Sequence, residues 1–307
     1  MMRKASPDTD QITRSLLQKA LRRADLEMTK QTIAYLIQDN DFEWMRKRLA
    51  VLTFEECWSY GLEVSYDKDE AIISNHILRL VGTIKNRNAA GLGSLGYALS
   101  EGDTSVLNGE SRDRDIQIIA AAIKRHNDFW EWTKKQQLSE KQKTLVEKAD
   151  KGFRKAGWPW DRAFAQAAAY LAITENVPDT KFVQPKSDPN FPLWVAIDKH
   201  TQHGKAAIRQ AAKQLDFNAN KALWLDFYFE SAKCNEIENS PWWEREKKWR
   251  MKKLDMTHEE GEQMWGKLKP IVIELLKKET EKLREKIFNV KSFKAIAPMK
   301  SLQASIF

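Results

Sequence analysis

Apolar residues recur at three- and four-residue spacing along most of the chain, and no stretch alternates in the two-residue manner of a half-buried strand. That pattern predicts an all-α protein. Ile12, Leu16, Leu17, Leu21 and Leu26 fall on one helical stripe and Ile33, Leu36 and Ile37 on a second, with Asp25 in the turn between them. A third helix opens after Asp39-Asn40-Asp41, carries Trp44, Met45, Leu49, Leu52 and Phe54, and ends near Trp58-Ser59-Tyr60-Gly61. Residues 1–65 are therefore expected to form an antiparallel bundle of three short helices. Residues 66–175 read as a second helical domain: a stripe from Ile72 to Leu80, an irregular segment Asn86–Gly96 forming a glycine-containing loop, and a helix from Asp115 through Trp132. A capping box at Ser139-x-x-Gln142 follows, and then a turn at Gly157-Trp158-Pro159-Trp160 leads into an alanine-rich helix. Four of the nine prolines lie in 174–193, which marks 176–193 as a linker. A C-terminal helical region over 194–288 includes a capping box at Thr257-x-x-Glu260 and a kink or break expected at Pro270. Beyond it, 289–307 reads as a flexible tail.

Composition narrows the class of partner. Lys and Arg outnumber Asp and Glu by 51 to 43, a formal charge of +8, which favours a polyanion, nucleic acid first. Cys57 and Cys234 lack any CxxC or Cys/His cluster, so the expectation is two reduced thiols and neither a disulfide framework nor a zinc finger. No segment approaches the ~20 apolar residues of a membrane span, and the N-terminal residues have no apolar core, so the protein is expected to be cytoplasmic with no membrane partner.

Three segments could carry chemistry. Gly91-Leu92-Gly93-Ser94-Leu95-Gly96 has the GxGxxG spacing of a dinucleotide site, but no buried strand precedes it, so no cofactor is expected. Lys85 and Arg87 beside it could instead grip a DNA phosphate. Asp198, His200 and His203 could ligate a metal or do acid–base work; the alternative is a helix start, with Asp198 or Thr201 as cap and Gly204 allowing close packing. Between Trp242 and Lys253, three tryptophans interleave with six basic residues. Trp242, Trp243, Arg245, Lys247, Lys248, Trp249 and Arg250 could thus stack on bases and neutralise phosphates, or form an amphipathic helix with its indoles in the core. No serine or cysteine sits in a nucleophile motif, and Glu55-Glu56 are adjacent rather than facing, so no active site is evident.

Gln303-Ala304-Ser305-Ile306-Phe307 resembles the bacterial sliding-clamp-binding pentapeptide, whose pattern is Gln, most often Leu, Ser or Asp, Leu or Ile, then Phe. Ala304 departs from the common Leu. The resemblance implies that Gln303, Ser305, Ile306 and Phe307 contact a clamp, Ile306 and Phe307 filling apolar pockets. The ordered segments Arg22-Arg23-Ala24-Asp25, Asp41-Phe42-Glu43-Trp44, Arg46-Lys47-Arg48-Leu49 and Glu55-Glu56-Cys57-Trp58 form one longer series. With Phe153–Pro159 and Ala165–Ala172 they are similar to the helical collar that follows the ATPase core in the RarA/MgsA branch of clamp-loader-type AAA+ proteins. No GxxxxGK[ST] is present, so the motor itself is missing. The resemblance implies a collar-like multi-helix bundle acting in DNA replication or repair, with a sliding clamp, DNA and a clamp-loader-like ATPase as expected partners. Two alternatives remain, a metal-dependent nucleic-acid enzyme using Asp198, His200 and His203, and a non-ATPase structural subunit of a clamp-loader-like assembly.

Overall fold

The helical periodicity is realised throughout. The computed structural model describes residues 7–289 and is all-α, with thirteen α-helices and no strand among those residues. The helices gather into two units, each assembled from separated stretches: 7–42, 184–235 and 251–289 in the first, and 43–183 with 236–250 in the second. The first sixty-five residues, expected to be one bundle, are shared between them, because α1 (Pro7–Arg22) and α2 (Leu26–Gln38) join the first while nearly all of α3 (Phe42–Glu56) joins the second.

In the first unit, Asp25 caps α2 by accepting the Met28 N–H at 2.8 Å, and its other carboxylate oxygen accepts the Asp188 N–H at 2.7 Å. The proline-rich stretch is thus tied down: Lys186 donates its N–H to the Ala24 carbonyl and accepts that of Leu26. The last helix, His258–Phe288, opens on the expected Thr257–Glu260 box. It runs unbroken through Pro270. Pro270 and Gly266, whose carbonyl loses its donor, both lie on the exposed face, so the missing bond does not leave a buried carbonyl unsatisfied.

The second unit continues with α4 (Glu70–Val81), α5 (Asn88–Ser100), α6 (Asp113–Lys124), α7 (His126–Lys134), α8 (Glu140–Lys155) and α9 (Pro159–Thr174). The GxGxxG segment is not a loop but the middle of α5, with Gly91, Gly93 and Gly96 all buried. A Cβ at Gly91 would collide with the backbone of Trp242, so glycine is present here for close approach rather than for flexibility. Close packing against α9, where a Cβ at Gly93 would meet the Ala163 carbonyl, outweighs glycine's low helix propensity, so the segment is helical. The helix expected over 115–132 is divided at Arg125, whose φ of −128° and ψ of 57° separate α6 from α7. Val51, Phe54, Trp58, Leu92, Leu95, Ile116, Ile119, Leu145 and Phe164 form the apolar centre. Among the described residues no helix is long and apolar enough to cross a membrane.

Candidate functional site

The first unit holds a buried polar centre around Asp198. A single 3₁₀ turn, Leu193–Ala196, delivers the chain to Asp198, and α10 (Gln202–Gln214) starts immediately after it. Thr201 caps α10, accepting the Gly204 N–H at 3.0 Å, and a Cβ at Gly204 would collide with the Asp198 carbonyl. The expected helix start is therefore present, with Thr201 rather than Asp198 as its cap. Asp198 is thereby free to look inward. Its Oδ2 accepts from Lys19 Nζ of α1, from Ser231 Oγ at 3.0 Å and from His200 Nδ1 at 3.1 Å, while Oδ1 accepts the His200 N–H at 2.9 Å. Lys19 also donates to Ser15 Oγ at 2.9 Å.

A second carboxylate faces the same hydroxyl. Asp226 ends α11 (Ala219–Asp226) and is followed by a single π-helical turn, Phe227–Ser231, of a kind often found at functional positions. That turn carries Ser231 back to within 3.4 Å of Asp226 Oδ2, which also accepts the Lys199 N–H at 3.3 Å. Burial would raise the Asp198 carboxyl, but the Lys19 ammonium and His200 hold it well below the usual carboxylate range. Burial and the charge of Asp198 instead push Asp226 up to about 7. Ser231 Oγ has one proton to give to two carboxylates, and of the two Asp226 is the one whose protonated form burial and the Asp198 charge favour. The π-turn is fastened from α1 and its following turn: Arg22 Nη1 donates to the Ser231 carbonyl at 3.0 Å, and Arg23 pairs with Glu230 at 2.8 Å.

His200 is the member of this centre that reaches solvent, its side chain 49% exposed. With Nδ1 on Asp198, its Nε2 points away from the carboxylate, an oriented imidazole suited to proton transfer. Ser231, the hydroxyl in the centre, hydrogen-bonds to the carboxylates rather than to the imidazole. Asp198, His200 and His203 do not assemble as a metal-ligand set: among the described residues no group of three or more His, Cys, Asp or Glu side chains could hold an ion, and Asp198 is occupied by an ammonium.

The basic, tryptophan-rich segment is turned inward. It forms α12 (Pro241–Lys253), with Trp242, Trp243 and Trp249 buried. Arg245 pairs with Asp113 and donates to Asn108 Oδ1 at 3.0 Å, Lys247 pairs with Glu244 at 2.8 Å, and Arg250 lies 4.3 Å from the Trp249 ring. Of the residues expected to meet DNA, Lys248 alone is exposed. Lys85 is 0% exposed and its Nζ donates to the carbonyls of Leu80, Val81 and Thr83 at 3.0, 3.1 and 2.8 Å, closing the C-terminal end of α4. Arg87, 1% exposed, stacks at 3.8 Å on Trp243 and lies 3.6 and 3.7 Å from the Glu55 and Glu56 carboxylates. Lys85 and Arg87 thus neutralise the protein's own carbonyls and acids, and a phosphate has no access to them.

No protein family, curated protein or solved structure matches the chain. Gln303, Ser305, Ile306 and Phe307 lie outside the described residues. Lys19, Asp226 and Ser231 had no signal in local sequence, since each becomes meaningful only beside Asp198, 179 residues from Lys19.

Proposed function

We propose that the protein is an accessory factor of DNA replication or repair that binds the sliding clamp through Gln303, Ser305, Ile306 and Phe307. Its all-helical body serves as a non-enzymatic scaffold held near DNA. The Gln-Ala-Ser-Ile-Phe peptide carries this reading, and the basic charge of +8 supports a workplace on a polyanion. Tethering is the mechanism. A modest peptide contact raises the local concentration of the body at the clamp, so that weak contacts of the body with DNA or a clamp-loader-like ATPase add to the overall affinity. The test is calorimetric binding to a purified bacterial sliding clamp. The full chain should bind, and a chain lacking 303–307 should lose that binding; equal binding by both forms removes the reading.

A second reading is favoured by one observation, the half-exposed His200 oriented by buried Asp198. It is a nucleic-acid enzyme in which His200 moves a proton. Substitution His200→Ala should then abolish turnover of a nucleic-acid substrate without altering thermal unfolding, whereas unchanged turnover excludes His200 from chemistry.

A further inference from the structure

Of the twelve tryptophans, eleven are buried or half-buried, and Trp158 is 73% exposed. Its position is fixed. It precedes Pro159, the first residue of α9, and its carbonyl accepts the Arg162 N–H at 3.1 Å. Arg162, one turn along α9, donates Nε to the Ala156 carbonyl at 3.1 Å, and its guanidinium lies 5.5 Å from the ring of Phe153. The His126 ring sits 5.8 Å from that same Phe153 ring, at the junction where Arg125 separates α6 from α7. Phe153 is thus the floor that brings the α6–α7 junction and the α8–α9 turn to one surface. Lys124, Arg125, His126, Arg154 and Arg162 are all exposed there. Of these, Arg154 is paired with Asp150 at 3.1 Å, whereas Lys124, Arg125 and Arg162 have no carboxylate partner among the described residues. Asp128, at the start of α7, is exposed and offsets part of the charge. Asp161, the acid within the turn, points inward to Arg48 at 3.2 Å and does not oppose an anion.

We infer that this end of the second unit binds single-stranded nucleic acid, one unpaired base stacking on Trp158 while Arg162 and Arg125 neutralise the flanking phosphates. An exposed indole beside unpaired guanidinium groups matches an unstacked base followed by its phosphate, and a duplex cannot offer the base face. This rests on the proposed function and places its nucleic-acid contact at an exposed tryptophan, whereas the tryptophans of α12 are buried.

The test uses the full chain without a clamp, so that its failure is distinct from failure of the clamp peptide. A fluorescein-labelled oligothymidylate of about twenty nucleotides is titrated by anisotropy against wild type, Trp158→Ala, Trp158→Phe and Arg125→Gln/Arg162→Gln. Trp158→Ala is expected to weaken binding about tenfold or more, Trp158→Phe to retain most of it, and the double arginine variant to lower the log–log salt slope by about 1.4. Circular dichroism melting should be the same for wild type and the two Trp158 variants, whose altered side chain is exposed, and the same measurement on the arginine variant separates any loss of the Arg162–Ala156 bond from a loss of binding. Absence of wild-type binding, equal affinity of Trp158→Ala and wild type, or competition by polyglutamate as effective as unlabelled oligothymidylate would each overturn the inference, the last by pointing to an acidic protein partner.

Discussion

Two segments of the second unit combine tryptophan with lysine and arginine, and they face opposite ways. In α12 the indoles of Trp242, Trp243 and Trp249 are core, and Arg245 is pulled onto Asp113 while Arg87 meets Trp243 from below. At the α8–α9 turn, Trp158 stands outside the helix and the guanidinium of Arg162 beside it has no carboxylate partner among the described residues. Composition is nearly the same, but the acids differ. Those that neutralise Arg245 of α12 and its neighbour Arg87 come from other elements, Glu55 and Glu56 from α3 and Asp113 from α6, while Lys247 pairs within α12 with Glu244. The single acid of the α8–α9 turn is itself consumed by Arg48. A basic aromatic segment is a nucleic-acid candidate when its cations lack remote carboxylates, and a structural anchor when they have them.

The largest effect that would break this contrast is on Arg87. Removing its guanidinium in Arg87→Ala takes a cation away from the buried Glu55 and Glu56 carboxylates, and stability measured by urea unfolding should fall by about 3–5 kcal/mol. A loss comparable to a surface substitution would mean that α12 and its neighbours are not anchored by buried charge.

Next in size is a pH effect at the buried centre of the first unit. Asp226 has its pKa raised from 3.8 to about 7 by burial and by Asp198, with Lys199 and Lys19 opposing. A carboxyl raised on folding contributes stability that is fully present below its unfolded value and lost as pH rises through the folded one. Wild type should therefore lose stability relative to Asp226→Asn between about pH 4 and pH 7, the slope approaching one proton. Parallel stability curves for the two proteins would show that Asp226 is ionised throughout.

Gly91→Ala places a methyl against the Trp242 backbone, and overpacking should cost about 1–3 kcal/mol in the same urea assay. Little change would mean that α5 and α12 can separate without penalty. Smallest is Trp158→Ala, which should alter stability by less than about 0.5 kcal/mol, because its side chain faces solvent. A larger loss would make Trp158 a packing residue and erase the contrast with α12.

What was legible in the sequence was local. The capping boxes at Ser139–Gln142 and Thr257–Glu260, the Asp25 turn and the Thr201 helix start all depend on residues three or four apart, and all are present. The helical class followed from periodicity alone. Illegible were features decided by remote partners. Glycines packed against Trp242, Ala163 and Ile119 look like a loop when those residues are not in view, and the inward face of α12 depends on acids more than a hundred residues away, such as Asp113. The Asp198 cluster was noticed for its histidines, yet its character is set by Lys19, Asp226 and Ser231, which carry no motif. Even the Arg22-Arg23 pair, which in sequence only opens the segment Arg22-Arg23-Ala24-Asp25, acts by holding the π-turn at Glu230 and Ser231.

The most direct measurement of the central claim is the affinity of the full chain for a primed DNA template with and without a loaded sliding clamp, in wild type and Phe307→Ala. Tethering predicts that the clamp tightens wild-type binding by about tenfold or more, and that Phe307→Ala removes this gain while leaving clamp-free affinity unchanged. A clamp effect that survives Phe307→Ala, or no clamp effect in wild type, would contradict the account.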